Sequence, residues 1–108
     1  MRIIKIKKWQ APMPNGEMRE EDLLVAINAL IGAKKPEDIP RGLDAFRIMG
    51  KVAQAFDDAD KTGELKLEER EYTFLKGIIE KDIPCTWGFN KDLMAAIDDF
   101  LNTKEQGG

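Results

Sequence analysis

From residue 42 to residue 81 the chain reads GLDAFRIMGKVAQAFDDADKTGELKLEEREYTFLKGIIEK. A long apolar pattern of helical period runs up to Gly63, Leu65 and Leu67 then alternate with Glu64 and Lys66, and a second helical pattern begins at once. The change of period, from about 3.6 to 2 and back, dictates helix, strand, helix within forty residues. A lone strand leaves its backbone groups unpaired, so the short strand at 64–67 requires a partner from elsewhere in the chain.

That partner is predicted at residues 2–9. Ile4 and Ile6 fall on one face and Ile3, Lys5, Lys7 and Trp9 on the other, and the β-branched pair Ile3-Ile4 favours a strand. Pairing would set Glu64 and Glu68 beside Lys5 and Lys7. The lysines read as a solvated sheet face that discourages edge-to-edge aggregation. They do not read as a nucleic-acid surface, because Trp9 is the one aromatic residue near them.

Residues 10–18 read as a loop: Pro12 and Pro14 donate no ladder hydrogen bond and Asn15-Gly16 is a turn dipeptide. A hairpin tip would suit that dipeptide, but the following residues read as helical at once. A helix is expected over 17–31, with Glu20, Glu21 and Asp22 favoured by its N-terminal dipole and Leu23, Ile27, Leu30 and Ile31 on one stripe. Residues 34–42 form a loop with two prolines. The helix over 43–60 carries two apolar stripes, one of Leu43, Phe46, Met49, Gly50, Ala53 and Phe56, the other of Ala45, Ile48, Val52, Ala55 and Ala59. So wide an apolar circumference predicts a central helix contacted on two sides. A third helix covers 68–80, with Tyr72, Leu75 and Ile79 on one face. After a loop at 81–89, Asn90 caps a fourth helix, with Phe89 and Met94 placed as a hydrophobic staple.

These elements predict an α+β fold: four helices packed around a long central helix, with a small two-stranded sheet. Residues 1–102 are expected to form a single globular domain and residues 103–108 a flexible tail. The predicted core comprises Ile4, Ile6, Leu23, Ile27, Leu30, Phe46, Met49, Ala53, Phe56, Leu65, Leu67, Leu75, Ile79, Ile97 and Phe100.

Composition narrows the function. The chain has 108 residues, a formal net charge of −3, no histidine and one cysteine, Cys85. Without histidine there is no His-dependent triad and the commonest general base is missing. A single cysteine removes zinc-finger spacings and internal disulfides, and fits a reducing compartment. No apolar run approaches the roughly 18 residues of a membrane span. The first residues interleave charge with apolar residues, unlike a signal peptide. A non-enzymatic, cytoplasmic protein is expected, with no cofactor, no nucleic acid and no membrane partner.

Residues 58–69 carry the one arrangement with recognisable chemistry. Asp58, Asp60 and Thr62 stand at the first, third and fifth places, Gly63 at the sixth, Glu64 at the seventh and Glu69 at the twelfth, between two helices. In those residues the segment resembles an EF-hand calcium loop. It departs from that pattern at Lys66, where a ninth-position ligand belongs, at Thr62, and at Asp57, where an apolar residue precedes the loop. No second such loop exists to pair with it. An acidic helix end, a glycine stop and a Glu-rich helix start account for the same residues. The metal set is therefore read as none, with Asp58, Asp60, Thr62, Glu64 and Glu69 as a calcium-binding alternative.

Cys85 lacks an activating base and reads as a buried, inert thiol. Trp87 reads as a lid over the core rather than a recognition residue, yet with Ile39 it is the place to look for an interaction surface. Residues 62–76, TGELKLEEREYTFLK, together with the Lys-rich first strand, resemble small phage and prophage accessory proteins of unknown function. That resemblance implies a protein-interaction or assembly role, through a protein partner or self-association, and carries no functional residue with it.

Overall fold

A computed structural model describes residues 1–104. It is an α+β fold of four helices and two separate two-stranded antiparallel sheets. The expected long-range pairing is present. Strand β1 (Arg2–Lys5) runs antiparallel to β4 (Glu64–Leu67), with Ile4 opposite Leu65 and Lys5 opposite Glu64. Ile4, Leu65 and Leu67 are buried, so the alternation has put the apolar side of the ladder inward. Ile6, just past β1, donates its N–H to the Gly63 carbonyl at 2.9 Å and extends the pairing by one bond.

The second sheet corrects the reading of residues 10–22. Strands β2 (Trp9–Pro12) and β3 (Met18–Glu21) form a hairpin, with Trp9 opposite Glu21 and Ala11 opposite Arg19. Asn15-Gly16 is its tip: Gly16 adopts φ +85° and the Asn15 side chain accepts from the Glu17 N–H. Glu20 and Glu21 are strand residues, not a helix start. Helix α1 (Leu23–Gly32) begins only after Asp22, whose carboxylate accepts from the Val25 N–H at 3.0 Å. Trp9 leads β2 rather than ending β1, and its buried indole N–H finds no acceptor among the described residues.

Helix α2 (Leu43–Thr62) is the longest, but it buries only one face. Val52, Phe56 and Ala59 are buried and Ile48 and Ala55 pack against the core, whereas Leu43, Phe46, Gly50 and Ala53 face solvent. Phe46, 75% exposed, and Ala53 are therefore not core residues, and Met49 is only half-buried. Of the two stripes, the one rich in alanine lies on the core side, joined there by Phe56 from the other, and α2 packs on β4 and α3. The central place belongs to α3 (Glu69–Asp82), which packs on α1, α2 and β4 and reaches α4 (Lys91–Leu101) through Tyr72. Tyr72, Leu75, Ile78 and Ile79 are buried along it.

Gly63 ends α2 in the left-handed conformation, φ +81°, and its N–H returns to the Ala59 carbonyl at 2.8 Å. Asn90 caps α4 as expected, accepting from the Leu93 N–H at 3.1 Å. Phe89, however, is 91% exposed and forms no staple with Met94. Thr103, assigned by sequence to the tail, accepts a hydrogen bond on its carbonyl from Arg2 and donates its hydroxyl to the Asp99 carbonyl at 2.6 Å. The remainder of the expected tail, residues 105–108, lies outside the described residues.

Nothing lies within 4 Å of a β-carbon built at Gly63, so Gly63→Ala meets strain and no clash. We expect it to destabilise by about 1–2 kcal/mol, the cost of a left-handed non-glycine residue, as a lower urea midpoint at unchanged m-value.

Arg2 grips the Glu69 carboxylate with two hydrogen bonds of 3.0 and 2.9 Å and holds its titration below the ordinary value of 4.5. A carboxyl lowered in the folded state contributes stability that is fully present above its unfolded value and is lost as pH falls through the lowered one. The thermal midpoint of Glu69→Gln should therefore lie below that of wild type at neutral pH, the two curves converging as pH drops well below 4.5. Parallel curves across that range would show that the ion pair does not contribute.

Candidate interaction surfaces

The residues of the 58–69 segment are not gathered around a point. Asp58 and Asp60 lie within α2, where positions two apart diverge by about 200° around the axis. Asp58 accepts from the Gln54 side chain at 3.1 Å, and its carbonyl accepts the Thr62 hydroxyl at 3.0 Å. That hydroxyl also accepts from the Glu64 N–H at 3.2 Å, bridging the helix end to β4. Glu64 belongs to the β1–β4 ladder and Glu69 is held by Arg2. Among the described residues no three His, Cys, Asp or Glu side chains are placed to hold a metal ion.

Cys85 is exposed, contrary to the expected burial. Residues Cys85–Phe89 form a 3-10 turn on the surface, and Trp87 rather than the thiol makes its contact with the core. Trp87 is half-buried. One side of its ring closes the core and another lines a groove of about 590 Å3. The hairpin contributes Ala11 and Arg19 to that groove, α1 contributes Val25 and Ala29, and the turn before α4 contributes Trp87 and Phe89. Small side chains make its floor and Phe89 stands free at its rim. Charges of both signs edge it, Arg19 and Lys91 against Glu21 and Asp92, so it has no single-sign field to select an anion or a cation.

A second apolar surface lies on α2. Leu43 is 60% and Phe46 75% exposed, and Gly50 and Ala53 continue the same stripe at 4-3 spacing. Ile39, 47% exposed in the segment before α2, lines a small cavity of about 90 Å3 with Pro40, Ala45, Met49, Phe74 and Ile78. Ile39 thus sits beside the α2 surface, whereas Trp87 belongs to the groove.

Sequence reasoning missed Leu43, Phe46 and Phe89 as surface residues, because each had a plausible interior role. The available signal was arithmetic: α2 carries more apolar circumference than one flanking layer of α3 and β4 can cover. For the hairpin wall of the groove the available signal was the turn dipeptide Asn15-Gly16, outweighed by the helix-like composition of the residues after it.

No helix among the described residues is long and apolar enough to cross a membrane. No family model, curated protein or solved structure matches the chain.

Because Asp58 and Asp60 point apart and Glu69 is already paired, millimolar calcium is expected to leave the melting temperature unmoved and to give no saturable heat on titration. A saturable, calcium-specific rise in melting temperature that Glu69→Gln abolishes would establish the loop as a binding site.

Proposed function

We propose that this protein is a non-enzymatic interaction or assembly module that works through exposed apolar surface, in a phage or prophage setting and in the cytoplasm. The observation that carries the reading is the exposure of large apolar side chains in ordered elements: Leu43 and Phe46 on α2, and Phe89 at the end of the 3-10 turn before α4. Burying such a side chain is worth about 1.5–3 kcal/mol. Leaving several outside, while Leu65, Leu75 and Phe100 are fully buried, fits surfaces that are covered by something else. The lack of histidine removes any His-dependent acid–base centre from consideration. The phage setting rests on the resemblance of residues 62–76, and the protein-binding role rests on the surfaces themselves.

A photo-crosslinking amino acid placed at position 46 or 89, in the cells that naturally produce the protein, tests the reading. We expect a discrete adduct from at least one position and none from an exposed polar control such as Lys51. Equal labelling at all three positions, or none at 46 and 89, would remove the basis for an interaction module.

A further inference from the structure

We propose that the groove beside Trp87 receives an extended, uncharged peptide segment of a partner protein, which adds to the unpaired edge of β2 as a third strand. This rests on the interaction reading above and names the chemistry of the partner.

The first observation is the edge itself, whose polarity follows from the register. Hydrogen-bonded and non-bonded pairs alternate along an antiparallel ladder. At the tip, Met13 donates its N–H to the Glu17 carbonyl at 2.8 Å, so that pair is a bonded one. Pro12–Met18 is then non-bonded, as a residue without an N–H requires, Ala11–Arg19 is bonded and Gln10–Glu20 is non-bonded. The Gln10 N–H and carbonyl and the Pro12 carbonyl therefore turn to the edge of β2 that lies away from β3. Among the described residues these three groups have no hydrogen-bond partner. Such an edge is a template for another chain. The corresponding edge of β4 is treated differently: the Thr62 hydroxyl engages both the N–H and the carbonyl of Glu64.

The second observation is that the groove reaches this edge. Successive strand residues point to opposite faces, yet Gln10, Ala11 and Pro12 all line the groove, so it touches the backbone of β2. It does not reach Met18 or Glu20, whose groups turn to the outer edge of β3. Trp87 and Phe89 stand across from the strand, over a floor of Ala11, Val25 and Ala29. A strand edge facing apolar walls lets main-chain hydrogen bonds hold a peptide while alternate side chains enter the pockets. Phe89, 91% exposed, gains a contact in this arrangement that the chain alone does not give it.

The chemistry of the occupant follows from the same groups. Arg19 and Lys91 are offset by Glu21 and Asp92, which suits a neutral polyamide better than an ion. The edge presents two carbonyls and one N–H, so the incoming segment must donate twice. A proline-rich segment, the other usual occupant of aromatic grooves, lacks those donors. The alanines of the floor leave depth for a β-branched apolar side chain, a residue type that also favours the extended state.

Selection of the purified full chain against a displayed library of random peptides, each of about eight residues, tests the proposal. We expect uncharged sequences with β-branched residues at alternate positions and no proline consensus. In a selected peptide, N-methylation at two positions two residues apart should each lower affinity about tenfold, with neighbouring positions indifferent. Gln10→Pro removes the donor of the edge and should cost about tenfold, circular dichroism confirming the fold. Ala29→Trp, on an exposed position of α1, fills the floor and should abolish binding. Failure to enrich any peptide overturns the proposal. So does a proline-rich consensus, indifference to N-methylation, or full affinity in Ala29→Trp. If no peptide is enriched yet position 46 or 89 crosslinks in cells, strand addition falls and the interaction reading stands. If neither position crosslinks, both fall.

Discussion

The side chain of Arg2 lies where the first strand, the third helix and the end of the fourth helix meet. Its guanidinium makes two hydrogen bonds to Glu69, rests 4.0 Å above the Tyr72 ring and donates to the Thr103 carbonyl. Each contact uses a different property of arginine: the planar fork meets a carboxylate, the flat cation meets an aromatic face, and the positive charge lies just beyond the negative end of α4. Lysine in the same place would keep the charge and lose the fork. Tyr72 continues the chain of contacts. Its hydroxyl lies 2.8 Å from the Phe100 carbonyl, which the Thr103 N–H also reaches at 3.3 Å, and 3.2 Å from that of Leu101, while its ring meets Phe100 at 4.9 Å between centroids.

This junction explains why α3 rather than α2 organises the fold. The first strand reaches α3 directly through Glu69 and Tyr72, and α4 reaches it through Phe100. At the opposite end of α3, Lys34 and Asp82 form an ion pair that ties the segment after α1 to it. Helix α2 joins the same core through Val52, Phe56 and Ala59, and the left-handed turn at Gly63 hands it to β4. Only one of its faces is used, so its sequence is free to carry something on the other.

What could be read from the residues follows from how locally each feature is determined. The β1–β4 pairing was legible because Leu65 and Leu67 alternate and only one other stretch has the same period. The Asn90 cap and the Gly63 stop were legible because each is set by a single residue's own chemistry. The hairpin was not, because Met18-Arg19-Glu20-Glu21 has the composition of a helix start, and only pairing with Trp9–Pro12 decides otherwise. Periodicity found both stripes of α2, but it cannot rank them. That choice depends on the room left by β4 and α3, a property of the assembled core. The surfaces inherit this limit: Trp87 and Ile39 were visible as large apolar groups in loops, whereas Leu43, Phe46 and Phe89 were hidden in patterns that read as interior.

The arrangement along α2 has a physical logic beyond the core. A buried helix face asks only for small and apolar residues in register, and Val52, Ala55 and Ala59 meet that requirement. The opposite face of a helix with no further role would carry charge throughout, which favours solubility and discourages aggregation. Here Leu43, Phe46, Gly50 and Ala53 stand exposed among Asp44, Arg47, Lys51 and Asp57. Each departure costs stability: Phe46 leaves 75% of its surface in water, and Gly50 weakens the helix.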